Sequence, residues 1–458
     1  MQNNFQKFND LRKEHPVFIY ETFHYELTGN GDLMLLFSFS VGEQIRYNPK
    51  VYIKYHPLFA DFYASGQWEK LKPFVFSIGM IELLSYWKST CSPIVEVRAG
   101  YWDEEAVSFW KKLYFNGLGE FFYTNAIDIS MENMLEFVQK PAAVAEKSFF
   151  GLQDAAIVPI GGGKDSAVTY EELKTMQSVI PLIINPRGAS LDSLKAAGIE
   201  NGFLEIQRQI DPVLLELNAK NYLNGHTPFS AMLAFYSLLL GVLSGRKNIA
   251  LSNEASANEA TVLGTNINHQ YSKSFEFEAD FRNFVKRCLS DELNYYSFLR
   301  PLSELQIALL FSQKPQYFPV FKSCNAGSKT DIWCCNCPKC LFTFIILSPF
   351  VPAEKMQEIF GENLFEKTSL LPVLQQLCGL AAEKPFECVG TVDEICTALA
   401  QTVKQYENLP VLLQYFVETD LYKHYANIDF KQQLTRFETN HFLKPKEFNH
   451  LVNKIING

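Results

Sequence analysis

Several protein classes are excluded by what this sequence lacks. It has no internal repeat and no low-complexity segment, so solenoids and linker-rich chains are set aside. It has no apolar run of the ~20 residues that a membrane-spanning helix needs. The most apolar stretch, near Ala231–Leu243, reads as a buried helix. Met1-Gln2-Asn3-Asn4-Phe5-Gln6-Lys7 lacks the apolar core of a secretory signal. Positive charge is scarce: 41 Lys and Arg stand against 50 Asp and Glu, for a net charge of −9. A broad nucleic-acid-binding surface needs clustered cations, so that partner is not expected, although local basic pockets are compatible with the balance. The ten cysteines are not spread as in a disulfide framework. Four of them, with a fifth neighbour, crowd into Cys324–Cys340, which points to metal binding in a reducing compartment and hence to the cytoplasm.

What is present is a chain of 458 residues, long enough for two or three domains, with an ordinary apolar fraction of 47%. The 39 phenylalanines read as aromatic-rich packing. Residues 1–148 are expected to form an α+β unit. Its strands are Val17–Tyr20, Leu33–Val41 and Val51–Tyr55, with a turn at Gly29-Asn30-Gly31-Asp32 and helices near Phe74–Trp87 and Glu104–Leu118. Residues 149–345 alternate strand and helix: strands at Ala155–Ile160, Val179–Asn185, Phe203–Ile206 and Asn248–Leu251, helices at Ser166–Met176, from Leu194–Ala197, and at Pro228–Leu243. That alternation predicts an α/β fold with a parallel sheet, whose ligands sit at the carboxyl ends of the strands. Residues 346–458 read as mainly helical, interrupted at Lys384–Thr391.

Gly161-Gly162-Gly163-Lys164-Asp165-Ser166 joins a strand to a helix. Glycines let the backbone approach a ligand, and free N–H groups at a helix N-terminus make an anion site. Lys164 adds charge, Asp165 is a candidate Mg²⁺ ligand, and the Ser166 hydroxyl can donate to a phosphate. Asn185, Ser252 and Asn253 end neighbouring strands and join these as candidate nucleotide contacts. The Walker loop is excluded, because Lys164 is followed by Asp165 and Val158 stands where its first glycine belongs; the spaced glycines of the dinucleotide fingerprint are also absent. The loop resembles the PP-loop of ATP pyrophosphatases, Ser-Gly-Gly-x-Asp-Ser, with Gly161 in the serine position. The resemblance implies ATP cleavage between the α- and β-phosphates, with AMP transferred and pyrophosphate released.

Cys324, Cys334, Cys337 and Cys340 have the spacing C-x9-C-x2-C-x2-C, suited to a tetrahedral, closed and therefore structural Zn²⁺ site. Cys335 is left out because Cys334 keeps both following intervals at two residues. Similar spacing follows the nucleotide domain in the PP-loop enzymes that make the nitrile precursor of queuosine, and Arg300–Ile307 resembles their sheet-ending segment.

Further segments are more specific. They are Gly117–Tyr123, Leu223–Ser230, Ser252–Glu259, Asn268–Ser274 and Lys384–Thr391. Together with the glycine loop they resemble the MurL family, the UDP-N-acetylmuramoyl-L-alanyl-L-glutamate epimerases. The resemblance implies a UDP-muramoyl-dipeptide substrate, ATP and Mg²⁺ as cofactors, and inversion of a terminal L-Glu to D-Glu in peptidoglycan precursor synthesis. Adenylating the glutamate carboxylate removes its charge, so the Cα proton becomes easier to abstract.

Candidate groups for that proton transfer are His226, Lys273, Cys388 and Glu254. His226 reads as acid/base, phosphate ligand or helix cap. His269 and Lys273 read as carboxylate or phosphate ligands, Glu254 and Glu259 as metal ligands or bases, and Cys388 as a thiolate base or an inert buried thiol. Arg300 reads as a substrate-anion ligand or a structural ion pair, and Phe121, Tyr123 and Trp102 as uracil-stacking rings or core. Competing readings are a PP-loop enzyme that modifies a nucleobase or forms an amide or nitrile, and a non-catalytic nucleotide sensor.

Overall fold

The computed structural model describes residues 4–142, 146–258, 271–324, 326–327 and 330–457. Eleven strands form one sheet. In chain order they are β1 (Val17–Leu27), β2 (Leu33–Val41), β3 (Ile45–Tyr47), β4 (Lys50–Ile53), β5 (Ile94–Val97), β6 (Glu136–Gln139), β7 (Gln153–Pro159), β8 (Val179–Ile184), β9 (Leu204–Gln209), β10 (Arg246–Leu251) and β11 (Asn294–Ser297). Their order across the sheet is β11-β10-β7-β8-β9-β4-β2-β1-β5-β6, with β3 beside β2. From β11 to β9 every pairing is parallel. β9 then pairs antiparallel with β4, so the strands of the first 148 residues continue the same sheet.

The mixed, mostly parallel α/β architecture with a helical C-terminal region agrees with the sequence reading. Leu33–Val41 is a strand with those bounds. Its hairpin with β1 closes at Leu27↔Leu33, with Gly31 at φ +81°, where a side chain would be strained. Two details differ. Leu194–Ala197 does not begin a helix; it ends one, since the helix spans Gly188–Ala196 and starts directly after Pro186-Arg187. β3, β5, β6 and β11 carry no expected strand, because short runs such as Ile94–Val97 are too brief to show a period.

Helices Lys72–Trp87 and Phe229–Leu243 pack together and are apolar on almost every face. Burial all round explains the absence of a polar side. At Gly79 an added Cβ would strike the Tyr20 ring, so only glycine lets helix and sheet approach there. A second core holds Val158 and Val168 together with Leu341, Ile395 and Leu451 from the C-terminal helices. No helix among the described residues is long and apolar enough to cross a membrane.

Candidate active site

β8 and β9 follow β7 to one side of the sheet, whereas β10 and β11 lie on the other. The strand order therefore reverses between β7 and β10, the place where parallel sheets open a ligand crevice. The glycine loop leaves β7 there, and Ser252-Asn253-Glu254 leaves β10. A cavity of about 420 Å³ lies at these ends, lined in part by Gly161, Asp165, Ser166, Ser252, Lys273 and Cys388.

Each glycine of the loop has its own surroundings. Gly161 is exposed, with nothing within 4 Å of a Cβ position. Gly162 has φ +88°, and a Cβ would lie 2.7 Å from the Ala189 carbonyl carbon. Gly163 is the N-cap of helix Lys164–Leu173 and gives no side-chain cap, while a Cβ there would meet Ser323 Oγ at 3.0 Å. An uncapped first turn facing a cavity suits an anion. Ser166 Oγ donates to Gly163 O at 3.1 Å.

Lys164 takes a different position from the one its motif suggests. Its amine is buried and enclosed by Asp165 Oδ1 and by Glu304 Oε2, the latter at 2.5 Å. Burial lowers the lysine pKa, but the two carboxylates outweigh it and hold the ammonium above its ordinary value. Burial raises the Glu304 carboxyl, with Lys164 opposing. Glu304 N donates to Glu394 Oε1 at 2.7 Å, and Glu394 in turn caps Thr391. The Lys384–Thr391 segment is thereby tied beneath the glycine loop.

Lys273 Nζ donates to Cys388 Sγ at 3.1 Å. Burial lowers the Lys273 pKa, and Cys388 and then Glu254 more than offset it, leaving the ammonium above its ordinary range. A cation beside sulfur favours the thiolate, the reactive form of cysteine. Glu254 is buried, and its carbonyl accepts from Arg300 Nη1 at 2.7 Å. Arg300 is fully buried, also bonding Lys273 O at 2.5 Å and Glu278 Oε2 at 3.1 Å. It is a structural brace that holds the 254 and 273 loops together, as one of its two sequence readings has it.

The remaining candidates divide. Ser252 Oγ lines the cavity end of β10 and has no hydrogen-bond partner among the described residues. Asn253 Nδ2 donates to Ser297 Oγ at 3.0 Å, which ties β10 to β11. Asn185 (φ +49°) does not line the cavity; its Oδ1 accepts from Arg208 N at 2.7 Å and prolongs the β8–β9 pairing. His226 also lies off the cavity lining, with Nδ1 3.2 Å from Glu120 Oε2. Buried Lys88 anchors the same turn, donating to His226 O at 3.1 Å and Thr227 Oγ1 at 2.6 Å. Trp102 and Phe121 are core residues. Tyr123 bonds Glu383 Oε2 at 2.8 Å and packs on Phe386. His269 and Glu259 lie outside the described residues.

The Cys324, Cys334, Cys337 and Cys340 sulfurs converge within 4.8 Å of one another. The resolved separations are 3.8 Å (324–337), 3.7 Å (334–340) and 3.5 Å (337–340). Four thiolates at ~2.3 Å from a tetrahedral Zn²⁺ would stand about 3.8 Å apart, so the four sulfurs fit such an ion. Gly327 N donates to Cys324 Sγ at 3.1 Å, which neutralises part of a thiolate's charge. Cys335 turns away and donates to Phe360 O at 3.1 Å, in line with its exclusion from the set.

Sequence reasoning did not find Glu304, Lys322 or Lys339. Glu304 is hidden because it arrives from a helix far along the chain. The two lysines were signalled only by position: Lys322 is two residues before Cys324, and Lys339 lies between Cys337 and Cys340.

Comparison with known proteins identifies the family. A family model described as the MurL N-terminal domain matches residues 10–298, and one described as the MurL C-terminal domain matches residues 320–424. A protein of Xanthomonas oryzae pv. oryzae, named UDP-N-acetyl-alpha-D-muramoyl-L-alanyl-L-glutamate epimerase, is 35% identical over 72% of this chain and 74% of its own. A protein of Salinispora tropica with the same name is 35% identical over 72% of this chain and 73% of its own. No solved structure matches the chain. The chain belongs to the MurL family of epimerases.

Proposed function

We propose that this protein epimerises the terminal L-Glu of UDP-MurNAc-L-Ala-L-Glu to D-Glu in peptidoglycan precursor synthesis in the cytoplasm, with ATP as activating co-substrate. The observation that carries the chemistry is the Lys273–Cys388 contact of 3.1 Å on a cavity that also holds the glycine loop. Family membership supports the substrate.

An oxygen of the terminal glutamate's α-carboxylate attacks the α-phosphorus of ATP. The bond to the β-phosphate oxygen breaks, and pyrophosphate leaves. The resulting acyl adenylate no longer carries the carboxylate charge, so the Cα–H is far more acidic. Cys388 takes that proton on Sγ while Lys273 stabilises the thiolate beforehand. Reprotonation of Cα from the opposite face inverts the centre. Water then cleaves the anhydride, giving the D-Glu carboxylate and AMP.

In this reading the N–H groups of the Gly161–Ser166 turn hold phosphate oxygens, with no serine hydroxyl at position 161. Asp165, whose side chain is 30% exposed and lines the cavity, would hold Mg²⁺, which neutralises phosphate charge. Ser252 and Asn253 stand at the nucleotide edge of the crevice. The cysteine tetrad would hold a structural Zn²⁺. Incubation with UDP-MurNAc-L-Ala-L-Glu, ATP and Mg²⁺, followed by hydrolysis, should yield D-Glu together with AMP and pyrophosphate. AMP release without D-Glu would favour a different acceptor and overturn the proposal.

A further inference from the structure

The cysteine-cluster segment is built against the glycine loop. Lys322 N donates to Gly162 O at 2.9 Å, Ser323 Oγ lies 3.0 Å from where a Cβ on Gly163 would be, and Asp331 Oδ1 accepts from Ala189 N at 2.9 Å. Ala189 is the residue on which Gly162 rests. The segment carrying the cysteine cluster is therefore in main-chain contact with the glycine turn.

The same segment carries cations into the cavity. Lys164 is enclosed by Asp165 and Glu304, so its charge is already balanced inside the fold. Lys273 is engaged with Cys388. Lys322 and Lys339 also line the cavity. Lys322 Nζ donates to Pro319 O at 3.2 Å, and Lys339 Nζ donates to Cys388 O. Both partners are neutral carbonyls, and among the described residues neither lysine forms a side-chain ion pair. Two such ammonium groups and an uncapped helix N-terminus lining one cavity form a site for a polyanion.

We infer that Lys322 and Lys339, held in place by the cysteine cluster, are the cations that bind the triphosphate of the nucleotide, in the role that the loop's own Lys164 does not fill. This rests on the ATP-dependent reading above. The metal then acts on nucleotide affinity as well as on folding. Lys339 also fixes the Cys388 main chain, so it links the triphosphate to the residue that takes the Cα proton.

The test is calorimetric titration of the zinc-loaded full chain with α,β-methylene-ATP and Mg²⁺. A charge-assisted bond is worth about 1.5–3 kcal/mol, so Lys322→Met and Lys339→Met should each weaken binding by about tenfold or more. Zinc should stay near one equivalent in both, and Lys195→Met, an exposed lysine on another helix, should bind like the parent. Lys322→Arg and Lys339→Arg keep the charge and should retain most of the affinity, which separates charge loss from damage to the fold. Unchanged affinity in the Met variants, or equal loss in the Arg variants, overturns the inference. So does a titration with UDP-N-acetylglucosamine that is weakened while the ATP analogue is not, because the cations would then serve the sugar nucleotide's diphosphate. If the parent protein binds no ATP analogue, the ATP-dependent reading falls, and this inference with it.

Discussion

At the scale of single residues, the proposed chemistry rests most on Cys388 and Lys273. A thiol is an effective carbon base only as thiolate, and an ammonium 3.1 Å away supplies the stabilising charge. On the proposed reaction, Cys388→Ala should leave AMP formation intact, since the Gly161–Ser166 turn is untouched, but deuterium wash-in from solvent at the glutamate Cα should drop by about a hundredfold or more. Mass spectrometry of the recovered glutamate, alongside an AMP assay, measures both. Wash-in at the parental rate would remove Cys388 from the proton transfer. Lys273 and Cys388 were both legible in the sequence as candidates, but their partnership was not, because 115 positions separate them. Lys164 shows the opposite failure. Its place in the motif suggested a phosphate ligand, and nothing local reveals that Glu304, 140 positions away, closes over it.

At the scale of elements, the turn between β7 and helix Lys164–Leu173 distinguishes its glycines. Gly162→Ala places a Cβ at φ +88° and 2.7 Å from the Ala189 backbone, so the loop or helix Gly188–Ala196 must shift. A loss of about 1–3 kcal/mol in urea unfolding is expected. Gly161→Ser meets open space at an ordinary φ and should unfold like the parent, while restoring the serine of the PP-loop pattern. Equal loss in both would mean that glycine is needed throughout the turn. Local periodicity made the strand, turn and helix visible here, and likewise Leu33–Val41 and Pro228–Leu243. It did not reveal β3, β5, β6 or β11, which are held by neighbours in the sheet rather than by pattern. The cysteine tetrad was legible because its spacing is its geometry, including the exclusion of Cys335.

At the scale of the whole molecule, side chains also bind the first 148 residues to those that follow. Asp103 caps helix Glu104–Gly117 through Ala106 N at 3.0 Å and pairs with Arg287 on helix Phe275–Cys288 at 2.7 Å. The Arg287 bond, and then the cap, hold the Asp103 carboxyl below its ordinary value of 3.8. A depressed carboxyl pKa stabilises the fold above the ordinary value and loses that contribution as pH falls through the folded one. Asparagine caps as well as aspartate, so Asp103→Asn removes the charge alone. It should cost roughly 0.5–1 kcal/mol at pH 7, a modest figure because the pair is about one-third exposed. The difference from the parent should shrink as the pH is taken below 3.8 and vanish below the lowered pKa of the folded carboxyl. Denaturation at pH 7 and pH 3 tests this, and a gap of constant size would show that the pair contributes no charge.

The antiparallel join of β4 to β9 runs from Lys50↔Gln209 to Ile53↔Ile206. It acts as a weld in a beam: any rotation of one half of the sheet against the other would have to tear main-chain bonds. Opening the two halves of the sheet like a clamshell would thus break that pairing. A fragment cut after residue 148 would bare the flank of β9 as a raw edge, ready to pair with another chain.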